Sequence, residues 1–267
     1  MMMFASDLDR TLIYSNRALA DFKQQTVSDL IAVELKNAQE VAFMTNKAYS
    51  LLKDLAASLL FIPVTTRTYE QYKRVFIFTE SFCLKYAVTS NGATIIYNGL
   101  PLQEWRESVQ KRLENECVPL QKMMEEMNGL EINGALKKVE NLFFYYILEA
   151  PLALDAKNVI QKIADTSGWR ISIQGRKLYL MPKPVCKGEA VKFIKEREGI
   201  HTVFGAGDSI LDNDFLKICD YAFVPSHGEL KNEGIHCSNY LFTVQQGVMA
   251  GEEILHRISN AATEKSS

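Results

Sequence analysis

Apolar and polar positions change period several times along this chain, and each change predicts an element. Residues 2–6, MMFAS, read as a short buried strand. LIAVELKNAQEVAFM holds two strand-like runs around the turn-prone Lys36-Asn37, a hairpin pattern. TNKAYSLLKDLAASL then takes helical spacing, with Leu51, Leu52, Leu55 and Leu59 on one face and Thr45 or Asn46 available as cap. LFIPVTT is an apolar run bounded by polar residues, as in a strand covered on both faces of a parallel sheet. TYEQYKRVFIF reads as helical, and YAVTSNGATIIYNG as two short strands around Ser90-Asn91-Gly92. Strands alternating with helices predict a parallel α/β sheet.

After Gly99 the rhythm shifts. Residues 102–127 are charge-rich, with Trp105, Val109, Leu113, Leu120, Met123 and Met127 at helical spacing and a break near Pro119. NLFFYYILEA reads as a strand, LDAKNVIQKIADTSG as a helix, and WRISIQGRKLYLMP as a strand pair turning at Gln174-Gly175. That order predicts an antiparallel sheet with helices on one face, an α+β arrangement. From Lys187 the parallel rhythm returns: helix KGEAVKFIKEREG, strand HTVFGAG, a helix around DNDFLKI, strands YAFVP and YLFT, and a last helix GVMAGEEILHRI. The polar tail NAATEKSS is expected to fray. The chain thus reads as an α/β core, residues 1–97 and 183–267, split by an inserted α+β cap over 98–182. Its hinges are expected at Asn98-Gly99 and at Pro182 and Pro184.

Composition narrows the class without naming a chemistry. With 267 residues, 47% hydrophobic and 23% charged, the chain is of ordinary globular make-up. A formal net charge of −2 gives no electrostatic reason for nucleic acid or an anionic membrane as partner. No apolar stretch is long enough to span a bilayer, and no basic segment precedes an apolar one as in a signal peptide. Cys83, Cys117, Cys186, Cys219 and Cys237 are odd in number and form no CxxC, which argues for reduced thiols in a cytoplasm. The four histidines are unclustered, so a histidine metal centre is not expected.

In an open parallel sheet, ligands bind beyond the carboxyl ends of the strands, so the residues there carry the functional reading. After the first strand come Asp7, Asp9 and Thr11; after the next, Thr65, Thr66 and Arg67; after the third, Asn91-Gly92. Asp208 and Asp212 follow TVFGAG, and Lys187 opens the helix before it. Asp7 and Asp9 would share a face if the strand continued through them, and would repel each other unless the chain leaves the strand or a cation intervenes. Hard oxygen donors without histidine or cysteine suit Mg²⁺. Each residue alone has a plain alternative: strand-end cap for either aspartate, helix N-cap for Thr65, first-turn acid for Asp212 and Asp214. Arg10, Trp105, the FFYY run, His227 and His236 read as surface, cap-core or loop residues.

The set as a whole resembles the haloacid dehalogenase superfamily of hydrolases, in its Cof-like branch, near sucrose-phosphate and mannosyl-3-phosphoglycerate phosphatases. DLDRT matches DxDxT, PVTTR the strand-end threonine with its following arginine, MPKPVCKG the lysine motif and GDSILD the acidic GDxxxD motif. The resemblance implies a Rossmann-like parallel-sheet core with the inserted cap. It implies Mg²⁺ as cofactor and a phosphatase acting on a small phosphorylated metabolite, a sugar phosphate above all. Asp7 would be the nucleophile and Asp9 the general acid and base. Thr65, Thr66, Arg67, Asn91 and Lys187 would bind phosphate or substrate. Asp7, the Asp9 backbone carbonyl, Asp208 and Asp212 would hold the metal. The core motifs describe no leaving group, so the cap is expected to close as a lid and select it. Leu211 stands where many relatives carry an asparagine that helps hold phosphate, a departure that Asn213 could offset. A phosphomutase of the phosphomannomutase type, and a non-catalytic binding protein on the same fold, are the competing readings.

Overall fold

The computed structural model describes residues 1–22 and 29–266. The chain divides into two compact units, Met1–Pro101 with Lys187–Ser267, and Leu102–Cys186.

In the first unit, β1 (Met2–Ser6), β5 (Leu60–Pro63), β13 (Thr202–Ala206), β14 (Tyr221–Val224) and β15 (Tyr240–Phe242) form a parallel sheet in the order β15-β14-β13-β1-β5. Alternation along each strand buries both faces. Phe61, Phe4, Phe204 and Tyr221 make a cross-strand row on one face, with ring centroids of Phe4 and Phe61 5.2 Å apart and of Phe204 and Tyr221 5.5 Å apart. This row belongs to a core with Leu52 and Leu55 of the helix Asn46–Ser58 and Ile254, Leu255 and Ile258 of the helix Gly247–Ser266. Met3, Ala5, Ile62 and Val203 on the opposite face are also fully buried, which is why these strands read as continuous apolar runs. Thr45 caps the helix Asn46–Ser58 by accepting from the Ala48 N–H at 3.0 Å, as its position predicts.

Two small antiparallel sheets flank the main one. β2 (Tyr14–Ser15), β3 (Leu30–Lys36) and β4 (Gln39–Thr45) pair in the order β2-β4-β3, the last two as the expected hairpin with Asn37 and Ala38 at positive φ in the turn. β6 (Tyr86–Thr89), β7 (Thr94–Tyr97) and β8 (Leu100–Pro101) pair in the order β6-β7-β8.

Four local expectations change. β6 is not a strand of the parallel sheet; one of its edges pairs antiparallel with β7, and the other meets the end of β5 only at the parallel bridge Val64–Val88. TYEQYKRVFIF is α-helical only over Tyr69–Tyr72, and a π-helical turn follows at Ile77–Ser81, with Tyr72, Val75, Ile77 and Phe78 all drawn into the core. The tail is helical as far as Ser266, held by buried Ala262 and by Lys265 over the Tyr221 ring at 5.2 Å; Ser267, also part of the expected frayed end, lies outside the described residues. In the second unit, β9 (Gly134–Val139) was hidden from pattern reading by Lys137 and Lys138, charges typical of an edge strand.

That unit holds β9, β10 (Phe143–Leu148), β11 (Trp169–Gln174) and β12 (Lys177–Pro182) in the antiparallel order β11-β12-β10-β9, with helices Gln103–Glu116, Leu120–Asn128 and Leu154–Thr166. Phe144, Leu180 and Ile171 share a sheet face by register, and Trp169 joins it, its ring 5.7 Å from Phe144 and its Nε1–H donating to the Val118 carbonyl. Among the described residues no helix is long and apolar enough to cross a membrane.

Candidate active site

Strand order brings the acids together. β1 and β13 are neighbours in register, Ser6 beside Ala206, so the residues just beyond them, Asp7 and Asp208, emerge side by side. This is the switch point of the sheet, where the chain's connections lead away in opposite directions and leave a crevice. The Asp7 N–H still donates to the Ala206 carbonyl at 2.8 Å, and the chain leaves the strand immediately afterwards. The N–H groups of Thr11, Leu12 and Ile13 all turn back to the Leu8 carbonyl, and Arg10 adopts φ 64°. The two aspartates therefore part: Asp7 stays in the crevice, buried, while Asp9 reaches out to Arg67.

Lys187, at the start of the helix Lys187–Arg197, is 1% exposed and ties two acids. Its Nζ donates to Asp7 Oδ1 at 2.8 Å and to Asp212 Oδ1 at 2.6 Å. The second Asp212 oxygen accepts from the Ser209 N–H at 2.9 Å and the Ser209 hydroxyl at 2.8 Å. Two glycines make this approach possible. A Cβ on Gly207 would lie 2.5 Å from Asp212 Cβ, and one on Gly188 would lie 2.6 Å from the Asp214 carbonyl oxygen. The Thr11 hydroxyl donates to the other Asp7 oxygen at 3.3 Å.

Asp7, Asp208 and Asp212 offer carboxylate oxygens all within 4.8 Å of one another. Burial, and next the charge of Asp212, pushes the Asp7 carboxyl up to about 7 against the pull of Lys187. Burial also drives Asp208 well above its ordinary value, with Asp7 and Asp212 adding to it. Burial alone would push Lys187 down, but Asp212 and Asp7 outweigh it and hold the ammonium above its usual value. Three buried carboxyl groups face one ammonium, and with all three ionised they carry a surplus of two negative charges on hard oxygen donors. That donor set and that surplus fit a divalent hard cation such as Mg²⁺.

The remaining predicted residues group around the end of β5. Thr65 is fully buried; its N–H donates to Val88 and its hydroxyl accepts from the Arg67 N–H at 3.1 Å, so it caps the turn and keeps its own hydrogen to donate. Thr66 beside it is half-buried. Asn91, buried at φ 57°, is pinned by its N–H on the Thr65 carbonyl at 3.0 Å. Arg67 forks onto Asp9, Nε to Oδ2 at 2.8 Å and Nη2 to Oδ1 at 2.7 Å, so both oxygens of the expected proton donor are engaged as acceptors. Leu211 is buried, and the side-chain Oδ1 of Asn213 accepts from the Tyr240 hydroxyl at 2.5 Å.

Several supporting residues escaped sequence reading. Ser209 is named above; Glu229 accepts from the Ile210 N–H at 3.1 Å and steadies the same turn. His227 is a packed loop residue, against the surface role expected of it. Its ring lies 4.8 Å from Phe22 and 6.0 Å from Tyr14. Burial pushes it down to about 4, so it is neutral, and its Nδ1 accepts from Gly247 while Nε2 donates to the Arg10 carbonyl. Arg10 itself pairs with Asp21 at the surface at 2.8 Å. Glu34, which accepts from Arg67 Nη2 at 2.9 Å, left only one signal in the sequence, a charge at an apolar position of the hairpin LIAVELK.

The family model described as Sucrose-6F-phosphate phosphohydrolase matches residues 1–225. Among solved structures, the sucrose-phosphatase from Synechocystis sp. PCC6803, in complex with sucrose and phosphate, superposes with a TM-score of 0.70 at 14% identity, covering 97% of each chain. A trehalose-6-phosphate phosphatase related protein gives 0.56 at 16% identity, covering 99% of this chain and 100% of that one. A haloacid dehalogenase-like hydrolase from Bacillus subtilis gives 0.55 at 16% identity, covering 96% and 91%. Among curated proteins, none matches the sequence.

Proposed function

The chain belongs to the sucrose-6F-phosphate phosphohydrolase family and is a haloacid dehalogenase-type phosphatase, and we propose that it is a Mg²⁺-dependent enzyme that cleaves a sugar phosphate through an aspartyl-phosphate on Asp7. The observation that carries this reading is the buried cluster of Asp7, Asp208 and Asp212 with Lys187 between two of its members. The family description and the sucrose and phosphate held by the Synechocystis enzyme favour a sugar phosphate as substrate.

Asp7 attacks phosphorus; a carboxylate oxygen–phosphorus bond forms, and the bond to the sugar oxygen breaks. Asp9 gives its proton to that leaving oxygen. Water then attacks the aspartyl-phosphate, Asp9 takes its proton, and the Asp7–phosphorus bond breaks to release phosphate. Lys187 and the Thr65 hydroxyl hold phosphoryl oxygens, where the ammonium offsets charge that grows in transfer. Asp7, the Asp9 backbone carbonyl, Asp208 and Asp212 would hold Mg²⁺. Bound there, the ion would neutralise the surplus charge and polarise the phosphoryl oxygens.

A panel of sugar phosphates assayed with and without Mg²⁺ tests the activity, and Asp208→Ala tests the metal assignment. The variant is expected to need at least about tenfold more Mg²⁺ for half-maximal rate. Its melting temperature without metal should be unchanged or higher, since one buried carboxylate beside two others is gone. Wild-type dependence on Mg²⁺ in this variant sinks the assignment.

Every residue named in this chemistry lies in the first unit. We assign the choice of leaving group to residues 98–182. Replacing 100–181 by a short linker, in a product shown by its melting curve to be folded, should leave p-nitrophenyl phosphate hydrolysis measurable and abolish preference between two sugar phosphates. Retention of the full preference overturns this assignment.

A further inference from the structure

Alternation along β3 should leave one of Val33 and Glu34 outside the core, yet both are buried, at 0% and 3% exposure. The hairpin register explains it. Ala32 faces Phe43 and Glu34 faces Ala42, so Val33 is an extra residue on β3. Leu35 then faces Glu40, so Val41 is an extra residue on β4 and the register is restored. Such a bulge re-aims a side chain while leaving the flanking pairing intact.

The re-aimed carboxylate meets two arginines. Glu34 Oε2 accepts from Arg67 Nη2 at 2.9 Å, and Oε1 is ion-paired with Arg74, 3.2 Å from its Nε, whose hydrogen goes to the Gln71 carbonyl. The N–H of Leu35 donates to the Arg74 carbonyl at 3.0 Å, so the bulged strand fixes that arginine through the backbone as well. Arg67 Nη2 is shared between Glu34 and Asp9, and its Nε takes the second Asp9 oxygen. One arginine would satisfy a buried glutamate; here a second is bound to Asp9. The Asp9 side chain is 46% exposed while that of Arg67 is 12% exposed, so without the fork Asp9 would be free to change rotamer.

We propose that Glu34 is a positioning residue, which through Arg67 fixes the carboxylate of Asp9 for proton transfer at the leaving oxygen. The inference rests on the acid–base reading of Asp9 given above. The forked state is the one that receives a proton from water. For donation, the proton takes the place of one Arg67 bond, and Glu34 keeps the guanidinium where the pair re-forms. Orientation of the donor then matters in proportion to how badly the leaving group needs a proton.

Two esters separate this from a purely structural role: glycerol 2-phosphate, with a poor leaving group, and p-nitrophenyl phosphate, whose phenolate departs without help. Glu34→Gln is expected to lower kcat on glycerol 2-phosphate about tenfold with KM within about twofold, and to change kcat on p-nitrophenyl phosphate less than about twofold. Asp9→Asn should show the same discrimination more strongly, and the double variant should be no worse than Asp9→Asn alone. If Glu34→Gln loses its cooperative melt, Glu34→Asp, which keeps the charge but shortens the reach to Arg67, is read in the same way. Equal losses on both esters, no loss on either, or additive losses in the double variant overturn the role of Glu34. If Asp9→Asn itself treats the two esters alike, the acid–base reading falls and the inference with it; if only Glu34→Gln does, the reading stands and the inference alone fails.

Discussion

Asp7→Asn is expected to abolish phosphate release, with kcat falling by on the order of 10⁴- to 10⁶-fold, because an amide oxygen cannot form the acyl-phosphate. The fold should survive. The amide has the shape of the carboxylate, Lys187 keeps Asp212 as partner at 2.6 Å, and one of three crowded buried acids becomes neutral. Metal-free Asp7→Asn should therefore melt no lower than the wild type, which separates lost chemistry from lost structure. Acid-quenched single turnovers with labelled substrate should leave label on the wild-type protein and none on the variant. Label retained by the variant, or mapped to another residue in the wild type, overturns the assignment of the nucleophile.

Lys187→Met should damage both folding and turnover. Its ammonium, 1% exposed, is the one cation bonded to Asp7 and Asp212 among the described residues, so its removal leaves buried carboxylates without their counter-charge. Losing one partner of a buried ion pair costs about 3–5 kcal/mol. For a chain of this size that corresponds to a fall of roughly 10 °C in metal-free melting temperature. Mg²⁺ should recover part of the loss, since a divalent ion at the same carboxylates supplies positive charge. Turnover with saturating Mg²⁺ should still be down by about 10²- to 10³-fold, the effect of removing a group that stabilises charge in the transferring phosphoryl. A metal-free melt within about two degrees of wild type would show that Lys187 does not hold the cluster together.

The two substitutions act on different parts of one electrostatic arrangement. Asp7→Asn removes negative charge from a site that has a surplus of it, and Lys187→Met removes the charge that offsets it. Opposite signs in metal-free stability, with activity lost in both, are what the buried cluster predicts.

The sequence by itself determined the elements and the inventory of chemistry. Apolar runs such as LFIPV and TVFGA are local, and a strand buried on both faces leaves that mark wherever it lies. The spacing of Asp7, Asp9, Thr65, Lys187, Asp208 and Asp212 relative to those runs placed each residue just beyond an element end. Only the tertiary structure decided which of them meet, because the order of strands in a sheet is a long-range choice. Asp7 and Asp208 are 201 positions apart in the chain and adjacent only because β13 pairs with β1. Period two left two choices, a strand continuing with Asp7 and Asp9 on one face or a chain leaving the strand; the chain leaves at Asp7, so one enters the acid cluster and the other goes to Arg67. Asn91 appeared to end a third parallel strand, but β6 pairs along its length with β7 and meets the end of β5 only at Val64 and Thr65; Asn91 is held there by its N–H on the Thr65 carbonyl. Glu34 was illegible for the same kind of reason. A one-residue bulge reverses the face a side chain takes, and a bulge is set by how two strands pair, which neither strand records alone.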